Sequence, residues 1–254
     1  MKRLGLVLVA ALLAGAAGPS NPAAGSLSRD NLPWWHARHV AAVARARLGH
    51  VDLVFLGDSI TQNWEERGPP DWRDFAPQWQ RFYSDRNPLN LGFKGDTTAS
   101  LIWRMEHGEV DGIQPKAAVV LIGANNNGRV HWSAEQTIGG IEAVIAEAHR
   151  KLPGTKILLL SVLPSERSAW VDETTIATNR GLAERYGHGQ DPLVTYMDVT
   201  GLFMKDGHLD KAAFLDGYLT PPDPLLHPTA QTQTRLSEAM EPTLAKMMGD
   251  RVHR

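Results

Sequence analysis

Cysteine is absent from the 254 residues. That excludes disulfides, thiol catalysis and a lipid-modified N-terminal cysteine. A chain without cross-links must draw its stability from its core, and a domain of about 230 residues buries enough surface to do so. Long apolar runs are also missing. The most apolar stretch, Leu4 to Leu13, is too short and too rich in small residues for a comfortable membrane span. Neither sign of charge dominates: 26 Lys and Arg stand against 28 Asp and Glu, a net charge of −2. No basic patch stands out, which argues against a nucleic-acid partner. There is no repeat period and no low-complexity tract.

What is present begins with Met1-Lys2-Arg3, the apolar run, and Ala14-Gly15-Ala16. A short positive start, an apolar stretch and a small-x-small site form a secretory signal pattern. Residues 1–24 are therefore expected to be a signal peptide and leader, with Pro19 to Ser28 mobile. Residues 25–254 are expected to be a single domain of an exported protein, periplasmic or extracellular.

The domain is organised around Leu53-Val54-Phe55-Leu56-Gly57-Asp58-Ser59. A short apolar run ended by Gly and Asp fits a buried parallel strand better than a helix. Further apolar runs at Leu89–Gly92, Ala117–Ile122, Lys156–Val162 and Leu193–Met197 read as strands. Between them lie helical patterns at Trp72–Tyr83, Thr98–His107, Ser133–Leu152 and Thr174–Tyr186, with Ser28–Gly49 before and Thr229–Met248 after. Ser133-x-x-Gln136 is a capping box, and Pro242 is expected to kink the last helix. Strands alternating with helices, apolar throughout, predict an α/β fold: a three-layer αβα sandwich around a parallel sheet of about five strands.

Sites in such sheets form at the carboxyl ends of the strands. The first three strands end at Gly57-Asp58-Ser59, near Gly95-Asp96, and at Gly123-Ala124-Asn125, so these segments should converge. Asp223-Pro224-Leu225-Leu226-His227 precedes the last helix. Acyl transfer needs a nucleophile, a base and oxyanion donors. Ser59 supplies a hydroxyl and His227 a base, while the backbone N–H groups of Ser59 and Gly95 and the Asn125 amide suit the oxyanion. Asp58 and Ser59 equally suit a helix cap. His36 and His39 are spaced like a helical metal pair but lack a third ligand nearby, so they are read as surface histidines and no metal or cofactor is expected. Of the eight tryptophans, Trp64, Trp132 and Trp170 fall in loops after strand ends, where they suit a platform for a sugar ring or acyl group.

Four blocks in order resemble the GDSL/SGNH hydrolases: Gly57-Asp58-Ser59, Asn90-x-Gly92-x-x-Gly95-Asp96-Thr97, Gly123-x-Asn125, and an Asp–His pair before the last helix. Gly95-Asp96-Thr97-Thr98, Trp103-Arg104, Gly108-Glu109, Pro115-Lys116, Gly123-Ala124-Asn125-Asn126 and Gly139-Gly140-Ile141-Glu142-Ala143 are similar to the branch containing platelet-activating-factor acetylhydrolase catalytic subunits. The resemblance implies a flavodoxin-like sheet, Ser59 as nucleophile, Gly95 and Asn125 as oxyanion donors and His227 as base. It also implies that the residues beside the motifs, Ile60, Ala124 and Leu226, line the acyl pocket, so that short chains, acetyl above all, are preferred.

The family writes Asp-x-x-His, whereas Asp223 stands four before His227. Asp223 is the expected acid, placed by a helical turn with Pro224 in its first position. Asp216, Asp206 or Asp210, or a backbone carbonyl in a Ser–His dyad, remain alternatives. The expected function is an exported serine esterase acting on a small-molecule, glycan or lipid acyl ester. A long-chain lipase or thioesterase, or an inactive carbohydrate-binding member, is the alternative. Oligomeric state cannot be read from the sequence.

Overall fold

The computed structural model describes residues 21–253. The signal pattern at Met1–Ala16 lies outside them. In chain order the main elements are α1 (Pro33–Arg47), β1 (Leu53–Gly57), α2 (Ser59–Gln62), α3 (Ala76–Tyr83), β2 (Pro88–Gly92), α4 (Thr98–Arg104), β3 (Ala117–Leu121), α5 (Ala124–Gly128), α6 (Ala134–Lys151), β4 (Lys156–Leu160), α7 (Ala169–Tyr186), β5 (Val194–Met197), the hairpin β6 (Met204–Lys205) and β7 (His208–Leu209), and α8 (Ala230–Met248).

The sheet is five-stranded in the order β2-β1-β3-β4-β5, and every pairing is parallel. This is the flavodoxin-like order, in which the chain reverses direction across the sheet between β1 and β3. All five residues of β1 and of β3 are buried, as strands covered on both faces must be. Helices α3 and α8 pack together on one face, and α4, α6 and α7 on the other. The predicted strands are all present within a residue or two. Helix α7 starts earlier than its pattern suggests, because Ser168 caps it by accepting from the Val171 N–H. Helix α8 continues through Pro242.

The residues preceding α1 depart from expectation. The part of the expected mobile stretch that is described, from Asn21 on, is docked on the domain. Ala23 is fully buried, its carbonyl accepts from Thr98 Oγ1 at 2.7 Å, Asn21 Nδ2 donates to the Gln136 carbonyl, and Leu27 N donates to the Ala99 carbonyl. Gly140 makes room for this strap: a Cβ there would lie 2.8 Å from the Ala23 carbonyl oxygen. Polar leader composition hides these contacts, because each partner is more than seventy residues away. His39 also departs from the surface reading. It is 9% exposed, stacked on Trp35, and hydrogen-bonded through Nδ1 to Glu109 at 2.8 Å. His36 is exposed and meets Asp30. Trp64 is a core residue packed against Phe75, Trp79 and Tyr83, whereas Trp170 is exposed and Trp132 half-buried. Among the described residues no group of three metal-binding side chains occurs, and no helix is long and apolar enough to cross a membrane.

Two motif residues explain how β2 supports the turn after β1. Asn90 Nδ2 donates to the Thr61 carbonyl while its Oδ1 accepts from the Gly92 N–H. Gly92 then lets two backbones touch: a Cβ there would sit 2.2 Å from Gln62 N and 2.8 Å from the Asp58 carbonyl oxygen. Gly92→Ala should therefore push α2 and Ser59 away from the sheet. Overpacking of this kind costs roughly 1–3 kcal/mol, to be seen in urea unfolding, together with a loss of ester turnover. Gly201→Ala, whose methyl meets nothing within 4 Å, should leave both near wild type.

Candidate active site

Ser59 opens α2 immediately after β1, at the switch point of the sheet. Asp58 caps this short helix through its carboxylate, which accepts from the Ile60 N–H at 3.0 Å. The capping reading therefore holds for Asp58, and Ser59 follows it as the first residue of the helix. Ser59 Oγ lies 2.9 Å from His227 Nε2, with the serine 8% exposed.

The carboxylate beside the imidazole is Asp216, and the expectation for Asp223 is corrected. His227 Nδ1 meets Asp216 Oδ1 at 2.7 Å. Asp216 Oδ2 accepts from the backbone N–H groups of Leu226 and His227 at 2.7 and 2.5 Å. The two segments are clamped by antiparallel pairing. Phe214 bridges Pro228, Leu215 N donates to the His227 carbonyl, and Thr229 N donates to that of Ala213. Asp216 thus reaches His227 across a loop, not along a helical turn. Asp223 touches the assembly through its backbone, its N–H donating to the Asp216 carbonyl. Burial alone would raise the Asp216 carboxyl, but its bond to His227, the imidazole charge and two backbone N–H donors hold it below the usual carboxylate range.

Gly95 closes a turn from Phe93 to Asp96, in which Asp96 N donates to the Phe93 carbonyl at 3.1 Å and Gly95 has φ +75°. A positive φ at the third position marks a type II turn and calls for glycine. Asn125, in the first turn of α5, directs Nδ2 to the Asp96 carbonyl at 3.0 Å and faces Asp58 Oδ2 at 3.4 Å. Ser59, Gly95, Asn125 and His227 all line one cleft of about 370 Å³. The three polar strand ends and the C-terminal histidine therefore converge as expected.

The rest of the cleft wall was partly missed. Leu226 lines it, but Ile60 and Ala124 do not; they are 1% and 3% exposed and belong to the core beneath. Leu215 and Leu219 take the apolar positions, and Glu66, Arg73 and Lys94 line the same cleft. Glu66 joins the two cations, at 2.6 Å from Arg73 and 2.9 Å from Lys94. Burial would raise the Glu66 carboxyl, but these two partners lower it. Arg167 is a further unforeseen neighbour. Its Nη2 donates to the Ala124 carbonyl at 2.8 Å and its charge faces Asp58 and Asp216. No local spacing marks these residues, since they arrive from four separate connections.

Ser59, His227 and Asp216 thus form one hydrogen-bonded chain at the carboxyl edge of a flavodoxin-like sheet. The family model for GDSL-like lipase/acylhydrolases matches residues 55–235. The chain belongs to that family. It is 33% identical over 150 residues to the platelet-activating factor acetylhydrolase IB subunit alpha2 of Gallus gallus, covering 58% of this chain and 60% of the relative. It is 30% identical over 174 residues to the alpha1 subunit of Bos taurus, covering 65% of this chain and 70% of the relative. The chain thus spans less than two thirds of the first of these. A solved structure from Streptococcus pneumonia, described as a platelet activating factor, superposes with a TM-score of 0.62 at 20% identity, over 83% of this chain and 94% of that one. That likeness concerns the fold.

Asp58 yields a stability prediction. Its carboxyl is completely buried, and burial pushes it up to about 6, partly offset by the Ile60 N–H. The folded state therefore holds this proton more tightly than the unfolded chain. Stability is lost as pH rises from the unfolded carboxyl range, about 4, through 6. Asn retains an acceptor for the Ile60 N–H without the charge. Asp58→Asn should be more stable than wild type at pH 8 by on the order of 2 kcal/mol, with the difference vanishing near pH 4. Urea titrations at the two pH values check this; a variant no more stable at pH 8 would contradict it.

Proposed function

We propose that the protein is an exported serine esterase that removes short acyl groups, acetyl above all, from an ester substrate. The observation that carries this reading is the continuous hydrogen-bonded chain from Ser59 Oγ through His227 to Asp216, opening into the cleft. Ser59 Oγ attacks the ester carbonyl carbon and passes its proton to His227 Nε2. The carbonyl oxygen becomes an oxyanion facing the N–H groups of Ser59 and Gly95 and the Asn125 amide. Collapse breaks the ester bond, and the leaving oxygen takes the proton from Nε2. Water then attacks the acyl-serine by the same route, releasing the acid and restoring Ser59. Asp216 fixes the imidazole tautomer and supports its charge.

Two observations support the short acyl chain. The relatives are named acetylhydrolases. The cleft offers Leu215, Leu219 and Leu226 as apolar wall but sets Glu66, Arg73 and Lys94 among them, and a long hydrocarbon would have to lie against those charges. Export rests on the signal pattern at the N-terminus of the sequence. The assembled Ser–His–Asp chain speaks against an inactive carbohydrate-binding member.

Turnover of nitrophenyl esters from acetate to decanoate should peak between acetate and butyrate; a rate rising steadily to decanoate would point to the lipase reading. Ser59→Ala should abolish turnover and labelling by a fluorophosphonate. Asp216→Asn should lower kcat by roughly 10⁴, while Asp223→Asn should stay within about tenfold of wild type. The reverse order for the two aspartates would overturn the assignment of the acid.

A further inference from the structure

The peptide unit between Lys94 and Gly95 carries at one end the N–H assigned above to the oxyanion and at the other end the Lys94 carbonyl. A trans peptide points these two groups in opposite directions. The Gly95 N–H has no acceptor among the described residues, and Gly95 lines the cleft. The Lys94 carbonyl is held from behind by Arg29, whose Nη1 donates to it at 2.8 Å and also meets Asp96 Oδ1 at 2.7 Å. Arg29 belongs to the docked strap before α1, outside residues 55–235 matched by the family model. Its side chain is 14% exposed, and Asp96 is fully buried.

The turn that Arg29 grips has two discrete forms. Types I and II share the same ends and differ by rotation of the central peptide. In type II, as here, the Lys94 carbonyl faces Arg29. In type I the peptide would turn over, carrying the Gly95 N–H toward the guanidinium and its carbonyl toward the cleft. A cation at the carbonyl end thus favours the form with its donor in the cleft, and it polarises the peptide so that this N–H donates more strongly. We propose that Arg29 is a positioning residue for the oxyanion, contributed by the N-terminal strap, which holds the Lys94–Gly95 peptide with its N–H turned into the cleft. Arg129, which donates to the Gly95 carbonyl at 2.7 Å, grips the next peptide along and acts on a different plane.

The inference rests on the esterase reading, and its test separates the two. Steady-state hydrolysis of nitrophenyl acetate is measured for wild type, Ser59→Ala, Arg29→Met and Arg29→Lys, alongside the affinity of an alkyl boronic acid that forms a tetrahedral adduct with serine. Folding is checked by circular dichroism and thermal unfolding. Loss of a whole oxyanion donor costs about 10²–10³ in kcat, and a misdirected one somewhat less. Arg29→Met should thus lower kcat by about 10- to 100-fold with KM nearly unchanged, and weaken the boronate by a similar factor. Arg29→Lys should recover part of both. A merely structural role would not move boronate affinity and kcat together at constant KM. If Arg29→Met keeps kcat within about threefold of wild type while Ser59→Ala is inactive, Arg29 has no such role and the esterase reading stands. If Ser59→Ala retains full turnover, the esterase reading itself falls. Should Arg29→Met not fold, Arg29→Ala, which also removes the donor to Lys94 and has less bulk to bury, is judged by the same criteria.

Discussion

The carboxylate of Asp96 is the fixed point of this site. It is fully buried, and a buried charge is costly unless it is paired and its oxygens are satisfied. Here Oδ1 accepts from Arg29 Nη1 and Trp35 Nε1, and Oδ2 from Arg104 Nε. Its backbone closes the Gly95 turn on one side and receives the Asn125 amide on the other. Arg104 carries the connection onward. Stacked over Phe93, it binds Glu109 through Nη1 and donates through Nη2 to the Gly57 carbonyl, two residues before Ser59. A single buried ion cluster therefore ties three strand ends and the N-terminal strap into one rigid frame. Oxyanion stabilisation depends on donors that need not reorganise, and a cluster of this kind is how a site made of turns acquires that rigidity.

The Asp216–His227 pair is held by a different device. Asp216 and His227 sit on two irregular segments joined by antiparallel backbone pairing, and the carboxylate repeats that joint by capping two N–H groups of the histidine's own segment. The same three bonds that orient the imidazole also keep Asp216 ionised. Asp58 has the opposite balance: buried beside Ser59, it receives one backbone N–H and a distant amide, and its carboxyl rises accordingly. Two carboxylates within one site thus differ in protonation tendency because one has an imidazole and two backbone N–H groups in direct contact and the other a single backbone N–H.

The cleft is polar. The Glu66 bridge between Arg73 and Lys94 places charged groups where a lipase would expose only hydrocarbon. These residues come from the connections between β1 and β2 and after β2, so the fold supplies the reacting groups while its loops set the wall, as is usual at the carboxyl edge of a parallel sheet.

Much of this was legible in the sequence by itself. Apolar runs such as Leu53–Leu56 and Ala117–Ile122 announce buried parallel strands, and their polar, glycine-rich ends mark the reacting edge, because a buried strand leaves few residue types free to differ. Ser59, Gly95, Asn125 and His227 were readable for the same reason: each stands in a short local block whose backbone needs are visible in its neighbours. Tertiary structure decided the rest. Asp216 lies eleven residues from His227 and reaches it by pairing across a loop, which no helical spacing encodes. Ile60 and Ala124 flank site residues in sequence yet face the core. Arg29 falls in the stretch read as the start of the first helix, yet it precedes α1 and its partners are Lys94 and Asp96. Periodicity reports which face of an element is buried. Which distant carboxylate, carbonyl or cation meets that element is set by chain crossings that exist only in the folded molecule.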